Sequence, residues 1–537
     1  MPSSSAGLRE RVLAFVRRRE RIVLALLTLG FVLSGIGFAV ATPLFENPDE
    51  ATHVDMVEHY VHDPTHLAGP SLRQTAKVRG AFAATGLVDT PTPAAVAGLP
   101  ATRPDYGPFR AYGGDEPATS CPGRTCQNYQ FVHPPGWYLL AAPIAWVLQD
   151  RPFPDTVLAL RLFNVLLGSV MVWCAWSISL DLWPRRPRRA LIAAACTACC
   201  GPLAAAAAAV NNDGLLLPLM AVALALMAAA LGRGVAVRHA AVLGGVVTLG
   251  LLTKVEFVGI AAVGFVVVLL APLLERTTRW RAVLAYLVAG GIGGLWHLRV
   301  LLDAHSFSPK GGELLGPATQ GPWSHVGFLS YLRDQLHLAL DRFPGWYGWK
   351  LANLPHGLLV AVEAVVVALV VAWLVCRRWR RPTLDSLRVL VLPCVPVLLL
   401  VSSAYTAWQS YHTNGEAHGL APRYGYGTIP VLSVMVVASL VSVRRHVRLS
   451  SRVVRSLEGA FVIGLGVVGV VVSQVVSAHA AYFTTNATLL FQRAGIVAPL
   501  AHLKRWAVVI ALCWGATTLA AAVLLARPEP DQHDGSA

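Results

Sequence analysis

The chain has 537 residues, 55% of them hydrophobic and only 14% charged, with a mean hydropathy of +0.55. A soluble domain carries about a quarter charged residues. This shortfall, with apolar runs of about 20 residues recurring along the chain, excludes a soluble enzyme and a disordered protein. The net charge of +15 is no nucleic-acid signature, because the basic residues sit in short clusters between apolar runs, as membrane topology signals do. The expected class is an all-α, polytopic membrane protein whose immediate partner is the lipid bilayer.

In chain order, residues 1–21 read as a cytoplasmic basic tail carrying Arg9, Arg11, Arg17, Arg18, Arg19 and Arg21. Residues 22–42 read as a first transmembrane helix, too long for the h-region of a cleaved signal. Residues 43–155 read as an external loop with interfacial helices. Within it, Trp137–Gln149 is apolar but rises only about 20 Å, short of the roughly 30 Å hydrocarbon core. Treating it as a span would export the arginines at 185–189 and most later basic loops. It is therefore laid along the outer interface, with Trp137 and Tyr138 at headgroup level.

Residues 156–526 form the transmembrane bundle, with spans near 156–183, 190–209, 214–231, 240–253, 256–274, 282–301, 357–376, 388–404, 426–443, 457–477 and 506–526. With the first helix this makes about twelve, both ends inside. External loops fall at 302–356 and 405–425, and residues 527–537 form a C-terminal tail.

Asn47-Pro48-Asp49-Glu50-Ala51-Thr52-His53 follows the first span directly. Asn47 suits an N-cap, Pro48 the first helical position and Glu50 a capping box, which leaves Asp49 only partly explained. A carboxylate pair at the outer membrane edge also suits a transferase that needs a general base, so Asp49 and Glu50 are the candidate catalytic residues. His59, His62 and His66 have helical spacing, but Pro64 interrupts it; no metal ligand set and no cofactor is expected. Cys121 and Cys126 are the only two cysteines in an external aqueous loop, and a disulfide between them is expected. His53, His133, Lys254, Lys350, Arg423 and Tyr424 are candidate substrate-binding residues. Taken singly, Lys254 also reads as a snorkelling lysine and Arg423 as a membrane anchor. Together they place two carboxylates, several cations and many aromatic rings on one outer surface, as a phosphate-linked sugar would require.

Asp49-Glu50 after the first span, His133-Pro134-Pro135 before the second, Asn212-Asp213 after the third, and Leu252-Thr253-Lys254 resemble the GT-C class of membrane glycosyltransferases. That class includes the protein O-mannosyltransferases and the lipid A aminoarabinose transferases. More narrowly, Asp49-Glu50-x-x-His53, Gly345-Trp346-Tyr347-Gly348-Trp349 and Arg423-Tyr424 resemble a bacterial multi-pass membrane family of unknown function, over about residues 43 to 430. Ala51 stands where that family often has Pro, and Pro422 where Gly is usual. The resemblance implies an external catalytic acid on the first loop and a polyprenyl-phosphate-linked sugar donor. It also implies inversion at the anomeric carbon and a cell-envelope acceptor (glycan, lipid or protein) at the outer face of the bacterial cytoplasmic membrane. A transporter or flippase of lipid-linked sugars is the rival class, with Glu256 and Glu363 as the candidate deep acids. A surface-glycan polymerase or ligase would share the outer site.

Overall fold

The computed structural model describes residues 4–65, 67–69, 71–86, 99–106, 108–109, 126–184, 186–273, 279–304, 327–333, 360, 364–365, 368, 371, 384–414, 422–444, 450–482, 486–500 and 502–527. Among them there are helices and two isolated bridges, Arg73 with Gln127 and Val235 with Leu273. Helix α1, Ser4–Ala41, absorbs both the expected basic tail and the first span into one 38-residue helix. It stops just before Thr42-Pro43, where the residue preceding a proline is pushed out of helical geometry. Three short elements follow: α2 (Glu50–His62), α3 (Ala76–Ala84) and a 3-10 turn (Tyr129–Val132). Helix α4 (Gly136–Val147) comes next. Helix α2 ends with Asp63-Pro64, again because of the proline.

The bundle comprises α5 (Phe153–Leu182), α6 (Pro187–Ala198), α7 (Gly201–Ala207), α8 (Asp213–Arg233), α9 (Val237–Leu251), α10 (Phe257–Leu270) and α11 (Arg279–Ala304). It continues with α12 (Leu384–Asn414), a 3-10 turn (Pro422–Thr428), α13 (Ile429–Arg444), α14 (Ser451–Gly466), a π-helical segment (Val467–Val472), α15 (Ser473–Ala481), α16 (Ala487–Val497) and α17 (Leu503–Ala526). Among the described residues seven helices are long and apolar enough to cross a membrane, or eight if α6 and α7, bent by 61°, form one broken span. The expected 190–209 span is this broken pair. Pro202 lies in the first turn of α7, and a Cβ on Gly201 would lie 1.7 Å from the Gly469 carbonyl oxygen, so only glycine lets the two backbones cross there. The expected 240–253 and 256–274 spans are the shorter helices α9 and α10, and the 357–376 span falls mostly outside the described residues.

Three apolar clusters organise the bundle. One joins α5, α8, α9, α10, α11, α12 and α13; a second joins α1 with α5, α6, α7 and α17. The third sits under the first loop, where Val54, Val57, Trp137, Phe153 and Leu160 are fully buried. The connections then sort by end. The segments after α1, before α8, between α9 and α10 and before α13 share one end. Arg188 pairs with Glu458, and Arg233 with Asp181, at the other.

Candidate functional site at one end of the bundle

Helix α2 begins at Glu50, not at Pro48. Asp49 is its N-cap residue, held at φ 61° with no capping bond from its side chain. A left-handed backbone at a non-glycine residue is strained and persists only where its surroundings enforce it. The enforcing contacts are polar. Both Glu50 oxygens are gripped by Arg161, Nε to Oε1 at 2.8 Å and Nη2 to Oε2 at 2.6 Å, with both side chains fully buried. Glu50 Oε1 also accepts from Asn47 Nδ2 (3.1 Å) and the Val210 amide (3.2 Å). The expected capping box therefore does not form, because this carboxylate is drawn inward to a guanidinium. Glu50 thus spends both oxygens on Arg161 and is turned into the bundle, unlike Asp49 beside it. Beside it Glu46 is also buried; burial first, then the Glu50 charge, pushes its carboxyl up to about 8.

Asp49 is half-buried, and its Oδ1 accepts a hydrogen bond from the Tyr129 hydroxyl at 2.5 Å. Tyr129 is delivered there by its neighbours. Asn128 donates to Thr52 O (3.0 Å) and Asp55 Oδ2 (2.8 Å), and Gln130 Nε2 donates to Thr52 Oγ1 (3.1 Å). Asp55 Oδ1 in turn accepts from the Thr75 amide and hydroxyl, both at 2.8 Å. These bonds stitch the 3-10 turn and α3 to α2. Cys126, two residues upstream of Asn128, is disulfide-bonded; Cys121, its expected partner, lies outside the described residues.

A second cluster faces Asp49. Lys254, in the turn between α9 and α10, donates to Asp213 Oδ1 at 2.8 Å, and Arg423 Nε lies 3.3 Å from Asp213 Oδ2. Lys254 is 4% exposed and so is no snorkelling residue. Its ammonium lies 4.5 Å from the centre of the Tyr424 ring, and the Arg423 guanidinium 5.5 Å from the same ring. Arg423 Nε has no hydrogen-bond partner among the described residues, while the side chain keeps 27% exposure. Asp49 and Asp213 both act electrostatically on Arg423. Glu256 lies 3.8 Å from Lys254 at this end of the bundle; Glu363 lies outside the described residues.

Between the clusters stand His53 and His133, stacked at 6.3 Å. His53 Nδ1 is 2.9 Å from the Tyr138 hydroxyl. Burial, with the neighbouring His133 and the two cations, holds His53 well below its ordinary range; burial and Lys254 bring His133 down to about 3. Both rings are therefore neutral near pH 7. Trp137 and Tyr138 are fully buried and face this site, not the headgroups, because Trp137 Nε1 finds Asn164 Oδ1 at 2.9 Å and Tyr138 finds His53. The exposed face of α4 is Leu139, Leu140, Trp146 and Val147. The helix can sit this close because the Gly136 amide donates to Leu252 O at 2.7 Å, where a Cβ would lie 2.5 Å from that oxygen.

The structure thus brings together Asp49, His53, His133, Lys254, Arg423 and Tyr424, and turns Glu50 away; Lys350 lies outside the described residues. Sequence reasoning omits Asp213, Tyr129, Tyr138 and Arg161 from the site. An arginine inside an apolar helix is a signal in itself, and Asp213 lies in the Asn-Asp pair after the third span. Among the described residues no group of three or more His, Cys, Asp or Glu could hold a metal ion.

Residues 133–296, which carry His133, Asp213 and Lys254, match the family described as dolichyl-phosphate-mannose-protein mannosyltransferase. No curated protein matches the chain. Among solved structures, ArnT from Cupriavidus metallidurans bound to undecaprenyl phosphate is 12% identical, with 95% of this chain and 77% of that one covered at a TM-score of 0.44. The oligosaccharyltransferase AglB from Archaeoglobus fulgidus, in complex with an inhibitory peptide and a dolichol-phosphate, is also 12% identical. There the coverage is 86% of this chain and 56% of that one, at a TM-score of 0.46, so this chain spans little more than half of the archaeal protein. The match over residues 133–296 makes that stretch, on a helical membrane bundle, similar to a family of membrane mannosyltransferases.

Proposed function

We propose that the chain transfers a sugar from a polyprenyl-phosphate donor to a hydroxyl of a cell-envelope acceptor, with inversion, at the outer face of the bacterial cytoplasmic membrane. The observation that carries this reading is the pairing of half-buried Asp49 with a cation cluster whose Arg423 side chain keeps 27% exposure. Asp49 accepts the acceptor's proton as its oxygen bonds to the anomeric carbon. The bond from that carbon to the phosphate oxygen breaks on the opposite side, and its electron pair leaves with the polyprenyl phosphate. Arg423 and Lys254 stabilise the charge that grows on the departing phosphate more in the transition state than before it. His53 and His133, uncharged, line the site without competing for the phosphate. Asp213 holds the two cations in place and prevents their mutual repulsion.

The test is to mix the purified protein with a panel of radiolabelled polyprenyl-phosphate sugars and an envelope extract, scoring released polyprenyl phosphate. Release with at least one donor, dependent on the extract, supports transfer. Uptake of labelled lipid across a vesicle without cleavage would instead support the flippase reading.

A further inference from the structure

Arg161 and Asn164 lie in the outer part of α5, three residues apart and hence on one helix face; both are 0% exposed. A guanidinium has five N–H donors, and every one of Arg161's is used. Nε and one Nη2 hydrogen go to Glu50. The others go to Ala39 O (2.8 Å), Thr42 O (2.7 Å) and Pro43 O (2.7 Å), carbonyls at and just beyond the end of α1. Such terminal carbonyls have no intrahelical donor, so Arg161 caps α1 and grips the start of α2 at once. Asn164 reaches the other half of the site. Its Nδ2 donates to Ala209 O (2.7 Å) and Asn211 O (3.3 Å), and its Oδ1 accepts from Trp137 Nε1. The two networks meet where Glu50 Oε1 accepts the Val210 amide.

We infer that Arg161 and Asn164 are positioning residues that together set the spacing between Asp49 and the Asp213–Lys254–Arg423 cluster. Asp49 adjoins Glu50, Asp213 follows the turn that Asn164 and Glu50 hold, and Tyr138 adjoins Trp137. One rigid helix therefore fixes the proton acceptor, the anchor of the cations and the partner of His53. Stability alone does not account for the pair. A buried ion pair is no more stabilising than an apolar pair of similar volume, and a charged group inside a membrane helix is costly. What an apolar pair cannot do is hold four separate acceptors in fixed directions.

The inference rests on the transfer reading for its kinetic consequence but not for its mechanical one, and the test separates them. In Arg161→Lys the charge stays and the five-donor fork is lost; Asn164→Ser is a milder, independent variant should Arg161→Lys fail to fold. Hydrogen exchange should quicken in both variants, in residues 43–50 for the first and in 209–214 for either, while the far ends of α5 and α8 stay as in the wild type. Per folded molecule, kcat should fall about 100-fold, the scale of a misplacement of about 1 Å, with KM for the donor within about threefold. If activity per folded molecule equals that of the wild type, the residues are merely structural and the inference is overturned. It is equally overturned if the two segments exchange as in the wild type. If the wild type moves no sugar at all, the transfer reading fails, and the exchange pattern alone decides the mechanical claim.

Discussion

The two charge clusters at this end of the bundle use similar ingredients for different ends. In the Glu50–Arg161 cluster every guanidinium donor is used, both carboxylate oxygens are bonded, and neither side chain is exposed. In the Asp213–Lys254–Arg423 cluster the carboxylate is equally buried, yet Arg423 stays partly exposed with Nε unbonded among the described residues. The first cluster is closed and can only hold. The second keeps a cation at the surface, where the proposed donor phosphate would meet it. Exposure, more than charge, separates the two clusters.

The comparison breaks most severely at Glu50. Glu50→Gln leaves Arg161 buried with a neutral partner; removing one member of a buried pair costs about 3–5 kcal/mol. Thermal unfolding should therefore shift far downward, with loss of folded protein in the membrane, whereas kcat per folded molecule suffers less than abundance. In the open cluster the balance reverses. Arg423→Ala should lower turnover by about 100-fold, as for loss of one donor to a developing oxyanion, with abundance and melting temperature nearly unchanged. Equal losses in both assays would put Arg423 in the structural class.

A smaller effect sharpens the closed side. The Glu46 carboxyl, raised from 4.5 to about 8 by burial, binds a proton in the folded state over a range where the unfolded chain has released it. Its contribution is therefore fully present below about pH 4.5 and is lost as pH rises through 8. Glu46→Gln should melt like the wild type at pH 5 and above it at pH 8.5, as read by thermal unfolding in detergent. A constant difference across that range would show that Glu46 does not titrate there. Finally, cysteine labelling from outside the cell should reach Asp115→Cys and Gly415→Cys but neither Pro187→Cys nor Trp379→Cys, with no effect on rate. Labelling at 187 from outside would invert the orientation.

The helical membrane class is legible in composition, and the gathering of Asp49, His133, Lys254 and Arg423 follows from counting spans, because alternate ends of consecutive helices share a side. Glu50 is not legible in the same way. Its local pattern fits a capping box, but its partner Arg161 lies 111 residues away, and a long-range ion pair outweighs a local cap. Trp137 and Tyr138 mislead for a related reason. Both suit a headgroup layer, yet buried partners in α5 and α2 satisfy their polar atoms instead. The break between α6 and α7 lies where Gly201 crosses the backbone at Gly469, a long-range contact that hydropathy does not register.

The most direct measurement compares wild type and Asp49→Asn, purified side by side, for binding of a labelled polyprenyl-phosphate sugar and for release of polyprenyl phosphate in the presence of acceptor. With Asp49 as general base, the variant should bind the donor as the wild type does and release polyprenyl phosphate about 100- to 10,000-fold more slowly. Release at a near wild-type rate by folded Asp49→Asn would contradict the account, because no other carboxylate described at the site combines exposure with a place opposite the cations.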